Sequence, residues 1–188
     1  MTKLDTPPPN IEASSKLRAA LPDYLAPALR LVVVGINPGL RSAATGHHYA
    51  GPGNLFWPLL FEAGLVSERL TYAEDHRCLD FGIGLTNLVA RASRSVSDLS
   101  PAEMRAGVAA LRAKLARYRP AAVCFNGKAI YEVFAGRRCE FGVQPERYEG
   151  ALVYVMPSTS ARAASYSRAA KLRFFRELKR LVAREASQ

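Results

Sequence analysis

The sequence predicts an α/β fold, a three-layer sandwich in which helices cover both faces of a short, mainly parallel central sheet. Three observations support this prediction. Apolar runs typical of buried strands recur along the chain, amphipathic segments alternate with them, and each run ends in a loop of glycine and polar residues. Strands that alternate with helices favour a parallel sheet, because a parallel connection needs a crossover that a helix supplies.

The first predicted strand is Leu31 to Val34, a β-branched run that ends at Gly35 and suits burial on both faces. A helix is expected to begin near Asn54, which acts as its cap, and to reach Gly64. Its apolar stripe is formed by Leu55, Phe56, Leu59 and Leu60. Pro58 fits a helix only close to the first turn, because proline lacks the backbone N–H.

The middle of the chain continues the alternation. Phe81 to Val89 predicts a short, glycine-broken strand or a strand that opens into a loop. A helix should start at Ser100, because Pro101 follows at the first position and Glu103 is placed for a capping box. This helix must end before Pro120, and its apolar face carries Met104, Val108, Leu111 and Leu115.

Two more strands and two more helices complete the pattern. The run "AAVCFNGK" predicts a buried strand, a helix begins over Ala129 to Phe134, and "ALVYVMPSTS" predicts another strand. The final helix is amphipathic, with an apolar face of Leu172, Phe175, Leu178 and Val182. Polar loops follow the strands at Asn37-Pro38-Gly39, Thr86-Asn87, Asn126-Gly127-Lys128 and residues 157–162. Because ligands bind beyond the carboxyl ends of parallel strands, we expect these loops to gather at one edge.

Length and composition favour one intracellular domain. The chain has 188 residues; we expect residues 1–15, which are polar and proline-rich, to form a flexible leader and residues 16–188 a single domain. Neither a membrane-spanning run nor a secretory signal is visible. Three distant cysteines form no CxxC pair, so they predict isolated thiols in a reducing interior rather than a zinc or iron–sulfur site.

The charge of the chain is strongly positive, with a formal net charge of +10. The excess concentrates near the C-terminus, where Glu177 is the single acid among eight basic residues between Arg162 and Arg184. Such a face attracts polyanions, but it is also the ordinary solvated side of a helix. Charge alone leaves the two interpretations open.

Several kinds of chemistry lack their sequence signature. Gly127-Lys128 follows a strand but lacks the glycine cradle of a phosphate-binding loop, and no GxGxxG motif occurs, so nucleoside triphosphate hydrolysis is disfavoured. His47 and His48 are adjacent and point opposite ways in extended chain, which disfavours a shared metal ion. Nothing marks out the acid–base pair of a serine hydrolase.

Two long loop motifs are distinctive. "GINPGLRSAATGHHYAGPGNLFW" and "MPSTSARAASY" closely resemble the two signature motifs of mismatch-specific uracil-DNA glycosylases, in the branch that includes thymine-DNA glycosylase. The segments "GIGLTNLVARAS", "FNGKAIYEVF" and "FGVQP" also resemble that family, in the right order, so the resemblance covers roughly Leu31 to Arg180. It implies a uracil-DNA glycosylase-like α/β sandwich. It also implies an enzyme that cuts the N-glycosidic bond of uracil or thymine opposite guanine in double-stranded DNA.

The resemblance also implies roles for individual residues. Asn37 corresponds to the catalytic asparagine, whose neutral amide holds a water rather than acting as a strong base. Tyr49 corresponds to the aromatic platform under the flipped base, and Arg162, with Ala161 beside it, to the wedge that enters the DNA. Further pocket positions are Ile36, His48, Asn87 and Ser93, and the residues suited to DNA phosphates are Lys128, Ser158 and Ser160. The expected enzyme is a monomer without metal or cofactor, and it leaves an abasic site because no lysine occupies a motif position.

Each role has a structural alternative. Asn37 suits a turn, Tyr49 can pack on its own loop, Arg162 can be a surface cation, and Asn87 and Ser93 can satisfy backbone groups. His48 either positions water or phosphate or makes a structural hydrogen bond. Asp98, which neither motif dictates, is the carboxylate that could assist Asn37 at the sugar, or else a turn or helix-start acid.

Two other function classes remain open. One is a non-catalytic protein that binds DNA mismatches or lesions through the same basic face. The other is a small α/β enzyme that acts on free nucleotides and needs neither the Arg162 wedge nor the basic final helix.

Overall fold

A mostly parallel sheet lies at the centre of the computed structural model, which describes residues 20–186. Within these residues the sheet has five strands: β1 (Leu31–Gly35), β2 (Ile83–Asn87), β3 (Ala122–Asn126), β4 (Gly142–Val143) and β5 (Leu152–Met156). Their order is β2-β1-β3-β5-β4; β4 is antiparallel to β5 and the other pairs are parallel. The expected leader, residues 1–15, lies outside the described residues.

Helices connect the strands. The α-helices of the described residues are α1 (Leu40–Thr45), α2 (Phe56–Glu62), α3 (Pro101–Tyr118), α4 (Lys128–Ala135) and α5 (Arg168–Glu185). Short 3-10 segments cover Tyr72–Phe81 and Val96–Asp98. Between residues 20 and 186, no helix has the length and apolar character needed to cross a membrane.

The side chains of β1 divide the interior into two cores. Leu31 and Val33 pack with α2 and α5 on one face of the sheet, and Val32 and Val34 pack with α3 and α4 on the other. All four side chains are at most 1% exposed. Because both faces of the sheet are covered by helices, the predicted three-layer α/β sandwich is confirmed.

The predicted helix starts agree with the structure, with one shift. Ser100 caps α3 and forms the expected capping box with Glu103. The second helix begins at Phe56, and its cap position is Leu55 rather than Asn54. The Asn54 side chain still reaches the first turn, where its Oδ1 accepts the Phe56 N–H at 3.0 Å. Pro58 is the third residue of α2, where its missing N–H removes no intrahelical bond.

Four elements have no counterpart in the sequence prediction, among them the 3-10 segment Val96–Asp98. The helix α1 has six residues between Gly39 and Gly46 and no apolar stripe, so its pattern gives no periodic signal. The 3-10 segment Tyr72–Phe81 is mostly polar, yet it buries Asp75 and Cys78. The edge strand β4 has only two residues, which is too short for an alternating pattern.

Candidate active site

A cavity of about 490 Å³ opens at the edge of the sheet where the parallel strands end. Loops that follow β1, β2 and β5 line it together with Asn126, the last residue of β3, so three of the four polar loops gather at one edge. Two of them carry the sequence motifs: the β1 loop (residues 36–55) and the β5 loop (residues 157–163). These two loops touch, because the Leu55 N–H donates to the Thr159 carbonyl at 3.0 Å and Gly53 lies against Ala161.

The rim of this cavity is positively charged. Its lining residues include Arg41, Arg94 and Arg162, but no aspartate, glutamate or lysine among the residues that the structure describes. All three arginines are exposed, and no described carboxylate lies within ion-pair distance of them. A concave site with unneutralised positive charge attracts a polyanion.

The Asn37 amide has a fixed orientation in the cavity. Its Nδ2 donates to Ser93 Oγ at 2.8 Å and to the Arg91 carbonyl oxygen at 3.0 Å. Ser93 Oγ already donates its hydrogen to the Ser95 carbonyl at 2.6 Å, so it can only accept from Asn37. Only the nitrogen end of the amide fits between these acceptors. Asn37 Oδ1 receives no hydrogen bond from another described residue, and its role in holding a water stays a prediction.

Ser93 lies in the cavity wall as the partner of Asn37. It is 6% exposed, and its N–H donates to the Pro38 carbonyl at 3.1 Å. It also forms an isolated parallel bridge with Gly39. These contacts tie the loop after β2 to the β1 loop and orient the Asn37 amide. Whether Ser93 also contacts a base stays a prediction.

The Tyr49 ring forms part of the cavity wall. It stacks on Phe56 with ring centroids 3.9 Å apart and planes inclined by 23°. The Tyr49 hydroxyl is buried beside Asn126 without reaching hydrogen-bond geometry, and burial raises its pKa. The Tyr49 ring is supported from behind by Phe56, and its role as a platform for a flipped base stays a prediction.

His48 is 2% exposed and anchored by its ring. Its Nε2 lies 2.8 Å from the Pro22 carbonyl oxygen. Since a carbonyl only accepts, Nε2 carries the hydrogen and Nδ1 is an acceptor. Burial lowers the pKa of His48, which keeps the ring neutral near pH 7. The structure therefore shows the structural hydrogen bond that the sequence left as one of two alternatives.

The backbone on both sides of Tyr49 is pinned by buried side chains that the sequence prediction missed. Asp75, which is 0% exposed, accepts the His48 N–H at 2.8 Å. Ser42 Oγ accepts the Ala50 N–H at 3.1 Å. Asp75 lies 26 residues after Tyr49 in a polar segment without a motif, so no local signal identifies it.

Asn87 and Ile36 lie where the resemblance places them, at the cavity. A Cβ atom at Gly35 would approach Asn87 Oδ1 to 2.4 Å, so glycine is needed there to make room for the amide. No hydrogen bond to another described side chain occupies the Asn87 amide. Ile36 is half-buried against the core on the α3 side and also lines the cavity. Contact of either residue with a base stays a prediction.

A reciprocal side-chain pair fixes the base of the β5 loop. Asn126 Nδ2 donates to Thr159 Oγ1 at 2.9 Å, and the Thr159 N–H donates to Asn126 Oδ1 at 3.0 Å. Both residues are buried, and this pair was also missed from the sequence. Ser158 and Ser160 lie on either side of Thr159 at the rim, and Ser158 Oγ accepts the Ser160 N–H at 3.3 Å. Their roles toward phosphate stay predictions.

Arg162 and Ala161 are exposed at the mouth of the cavity. Arg162 Nη1 donates to the Arg94 carbonyl, so the side chain reaches across the mouth to the loop after β2. The next residue, Ala163, accepts a hydrogen bond from Lys171 Nζ at 2.7 Å. The wedge position thus lies on an exposed turn that is supported from α5.

Two predicted site residues do not line the cavity. Lys128 begins α4, and its Nζ lies 3.4 Å from Glu140 Oε2 and 5.4 Å from the centre of the Phe141 ring. Asp98 is exposed, and its Oδ2 accepts the Ser95 N–H at 2.9 Å in a capping box. These contacts are those of a turn-capping acid, the alternative role for Asp98, and no hydrogen bond joins its carboxylate to Asn37.

The described residues contain no cluster of three or more histidine, cysteine, aspartate or glutamate side chains that could hold a metal ion. Cys78, Cys124 and Cys139 are buried and free. Burial raises the pKa of each thiol, to about 12 for Cys78. These thiols therefore stay protonated near neutral pH and pack as small apolar groups.

Comparison with known proteins gives a consistent result. Residues 22–181 match the profile of the Uracil DNA glycosylase superfamily. A G/U mismatch-specific uracil DNA glycosylase from Schizosaccharomyces pombe is 38% identical over 167 residues, which cover 83% of this chain. The chain spans 51% of the length of that relative. The solution NMR structure of a candidate uracil DNA glycosylase from Methanosarcina acetivorans matches with a TM-score of 0.60 and 21% identity, covering 86% of this chain and 98% of that one.

Proposed function

The chain belongs to the uracil-DNA glycosylase superfamily, and on this basis we propose that it is a mismatch-specific DNA glycosylase. Its substrate is uracil opposite guanine in duplex DNA, with thymine or modified pyrimidines as further candidates. The product is an abasic site, the first step of base excision repair. One observation carries the proposal: Asn37 presents an unpartnered carbonyl oxygen in a cavity whose described lining has three arginines and no carboxylate.

Base flipping brings the substrate to this cavity. A base inside the duplex stack cannot reach it, and extrusion costs about a few kcal/mol, less for a mismatched pair. The flipped base stacks on Tyr49, whose ring is supported by Phe56. Arg162, with Ala161 beside it, fills the gap left in the helix, because both are exposed at the mouth.

The bond between the sugar C1′ and the base nitrogen breaks with both electrons going to the base. The sugar then has cationic character, and the water held by Asn37 Oδ1 adds to C1′ and loses a proton to solvent. An amide cannot remove that proton as a carboxylate can, and general-base catalysis typically contributes about 10²–10⁴-fold. Slow chemistry is therefore expected. The Asn87 amide is available to contact the departing anion.

Hydrolysis, rather than attack by an amine, is supported by the placement of the lysines near the cavity. Among the described lining residues there is no lysine. Lys171 Nζ donates to the Ala163 carbonyl, and Lys128 is directed toward Glu140. The enzyme is therefore proposed to leave an abasic site without cutting the DNA backbone.

The proposed partner is double-stranded DNA that contains a G·U or G·T mismatch. The positive rim and the hydroxyls of Ser158 and Ser160 are suited to the phosphates beside the flipped nucleotide. The protein is proposed to act inside the cell, as a monomer and as one domain over residues 16–188, without metal or cofactor.

A second candidate function is a non-catalytic mismatch binder of the same fold. The specific observation in its favour is the same lack of a carboxylate in the described lining, since DNA binding needs the positive rim but no base.

Product analysis separates the two functions. Labelled duplexes with G·U, A·U or G·T pairs, and single-stranded uracil DNA, are incubated with excess protein, and free base is measured by chromatography. A glycosylase releases uracil from G·U and leaves alkali-labile sites, with no adduct trapped by borohydride. Tight G·U binding without released base would support the binder, and a trapped covalent adduct would overturn the hydrolytic mechanism.

A further inference from the structure

A buried carboxylate behind the cavity has no place in the proposed reaction. Asp75 comes from the 3-10 segment Tyr72–Phe81, is 0% exposed, and does not line the cavity. No described lysine or arginine pairs with it; its one ion-pair contact is with His47. Burying a carboxylate is costly unless hydrogen bonds replace its water. The groups that donate hydrogen bonds to Asp75 therefore show which segment of the chain this carboxylate fixes in place.

Its hydrogen-bond donors come from the segment that precedes Tyr49. The His48 N–H donates to Asp75 Oδ2 at 2.8 Å, and His47 Nδ1 lies 3.1 Å from Oδ1. Tyr24 also faces this carboxylate: burial, with the charge of Asp75 adding to it, raises the pKa of Tyr24 to about 12. Two of the contacts thus connect Asp75 to adjacent residues of the β1 loop.

The same segment contains a strained residue. Tyr49 has φ of 55°, in the left-handed region that costs a non-glycine residue about 1–3 kcal/mol. Such a conformation persists only where the surroundings fix it. Here the backbone N–H groups of both neighbours of Tyr49 are bonded to buried side chains. The His48 N–H donates to Asp75, and the Ala50 N–H donates to Ser42. The strain places the ring against Phe56 at the cavity.

We propose that Asp75 is a positioning residue for the base pocket. It accepts the His48 N–H and so holds Tyr49 in its left-handed conformation, with the ring in place to stack on the flipped base. The inference rests on the proposed glycosylase function for its catalytic consequence. Its structural part stands on the contacts alone.

The chain has a built-in probe of this segment. Trp57 is the only tryptophan, and its indole Nε1–H donates to the His48 carbonyl at 3.2 Å. A ¹H–¹⁵N spectrum therefore shows a single indole resonance that reports on the backbone next to Tyr49. This resonance is measured without DNA and does not depend on any activity.

The test compares three variants in the full-length protein: D75A, D75N and the matched control D80A. Asp80 is an exposed acid on the same 3-10 segment, so D80A removes the same charge. D75A should shift the Trp57 indole resonance and lower the single-turnover rate of uracil release by about tenfold to a hundredfold, because a displaced group costs that much. D80A should leave both readouts close to wild type.

D75N provides a rescue that a purely electrostatic role does not predict. Its Oδ1 can still accept the His48 N–H while its Nδ2 faces His47 Nδ1, so its rate should stay within about threefold of wild type. A D75N protein as slow as D75A would overturn the positioning role, as would a D75A protein with an unchanged indole resonance or rate. If circular dichroism shows that D75A does not fold, D75L is used in its place, because the leucine side chain fills the space of the aspartate but has no hydrogen-bond acceptor. If wild type releases no uracil, the proposed function fails, and the indole shift still decides whether Asp75 positions the segment.

Discussion

The β1 loop and the β5 loop build the same cavity, but their candidate site residues are held to different degrees. The β1 loop is pinned by polar side chains from other parts of the chain, among them Asp75 and Ser93, which are 0% and 6% exposed. The β5 loop is buried at Thr159 and then exposes Ala161 and Arg162 to solvent. We infer that the two loops have different roles. The β1 loop fixes the positions of Asn37 and Tyr49 during bond cleavage, and the β5 loop exposes Arg162 for contact with the DNA duplex.

This difference in roles has a physical basis. A water held by Asn37 must sit within a narrow range of position to add to the sugar, and small displacements reduce rates strongly. A wedge needs reach and positive charge more than fixed coordinates, because the gap that it fills forms only when a base leaves the stack. Changes in the β1 loop should therefore slow base release from every DNA substrate. Changes in the β5 loop should slow release from duplex DNA and spare the single strand.

Apart from the loss of Asn37 itself, the largest effect is expected from loss of the stacking platform. Tyr49→Ala removes an aromatic–base contact worth about 1–3 kcal/mol and should slow uracil release from duplex and single-stranded DNA alike. Tyr49→Phe is the matched control, since it keeps the ring and deletes a hydroxyl that lacks a described partner; its rate should stay near wild type. Single-turnover kinetics on both substrates check this. If Tyr49→Ala slowed uracil release from duplex DNA only, the two loops would not have the different roles described above.

The next effect should come from Arg162→Ala, which removes the wedge. Because a single strand has no gap to fill, we expect duplex G·U to be processed about tenfold more slowly while single-stranded uracil is unaffected. Arg173→Ala, which removes an exposed arginine of α5 outside the cavity lining, controls for charge. Fluorescence of 2-aminopurine placed beside the uracil measures flipping directly. Equal losses on both substrates would contradict a wedge role.

A smaller effect should follow from loosening the β5 loop from behind. Lys171 is 3% exposed and its ammonium donates to the Ala163 carbonyl, so Lys171→Met keeps the stem but releases the loop. We expect a loss of about several-fold on duplex DNA, since one hydrogen bond from a charged group is removed. Lys179→Met, at an exposed site of the same helix, is the control. A Lys171→Met protein with wild-type duplex rates would show that this contact does not support Arg162.

The smallest expected effect is a pH dependence of stability that originates in the β1 loop. Burial lowers the pKa of His48 below its ordinary value of 6.5, so the unfolded chain binds the proton more readily. The stability contributed by neutral His48 is complete above pH 6.5 and is lost as the pH falls toward the lower folded pKa. Urea unfolding between pH 7.5 and 5 should show this decline, and His48→Gln should flatten it. If the free energy of unfolding of His48→Gln fell with pH as steeply as that of wild type, groups other than His48 would cause the decline.

Sequence patterns predict the strands and the position of the site well, because they depend on local signals. The run from Leu31 to Gly35 and the capping box at Ser100 are each specified by adjacent residues, and both appear in the structure. The gathering of loops follows from the parallel sheet alone. The two motifs predict a site at Asn37 and Tyr49, and both residues line the cavity.

The contacts that orient those residues are not visible in the sequence. Asn37 is turned by the Arg91 carbonyl and by Ser93, more than 50 residues later, and a backbone acceptor carries no residue signal. Asp75 lies in a polar segment where an acid is expected to face solvent, so its burial depends on tertiary packing. Asp98 is the opposite case, because the sequence suggested it as a carboxylate of the site and in the structure it caps a turn.

The central claim is that an amide, without a carboxylate, holds the water that attacks the sugar. The most direct measurement is the single-turnover rate of uracil release from a G·U duplex for wild type, Asn37→Ala and Asp98→Ala, with DNA binding measured in parallel. If Asn37 holds the water, we expect Asn37→Ala to lose at least about 10²-fold in rate while it still binds DNA, and Asp98→Ala to stay near wild type. A rate that survives Asn37→Ala and collapses in Asp98→Ala would contradict the account.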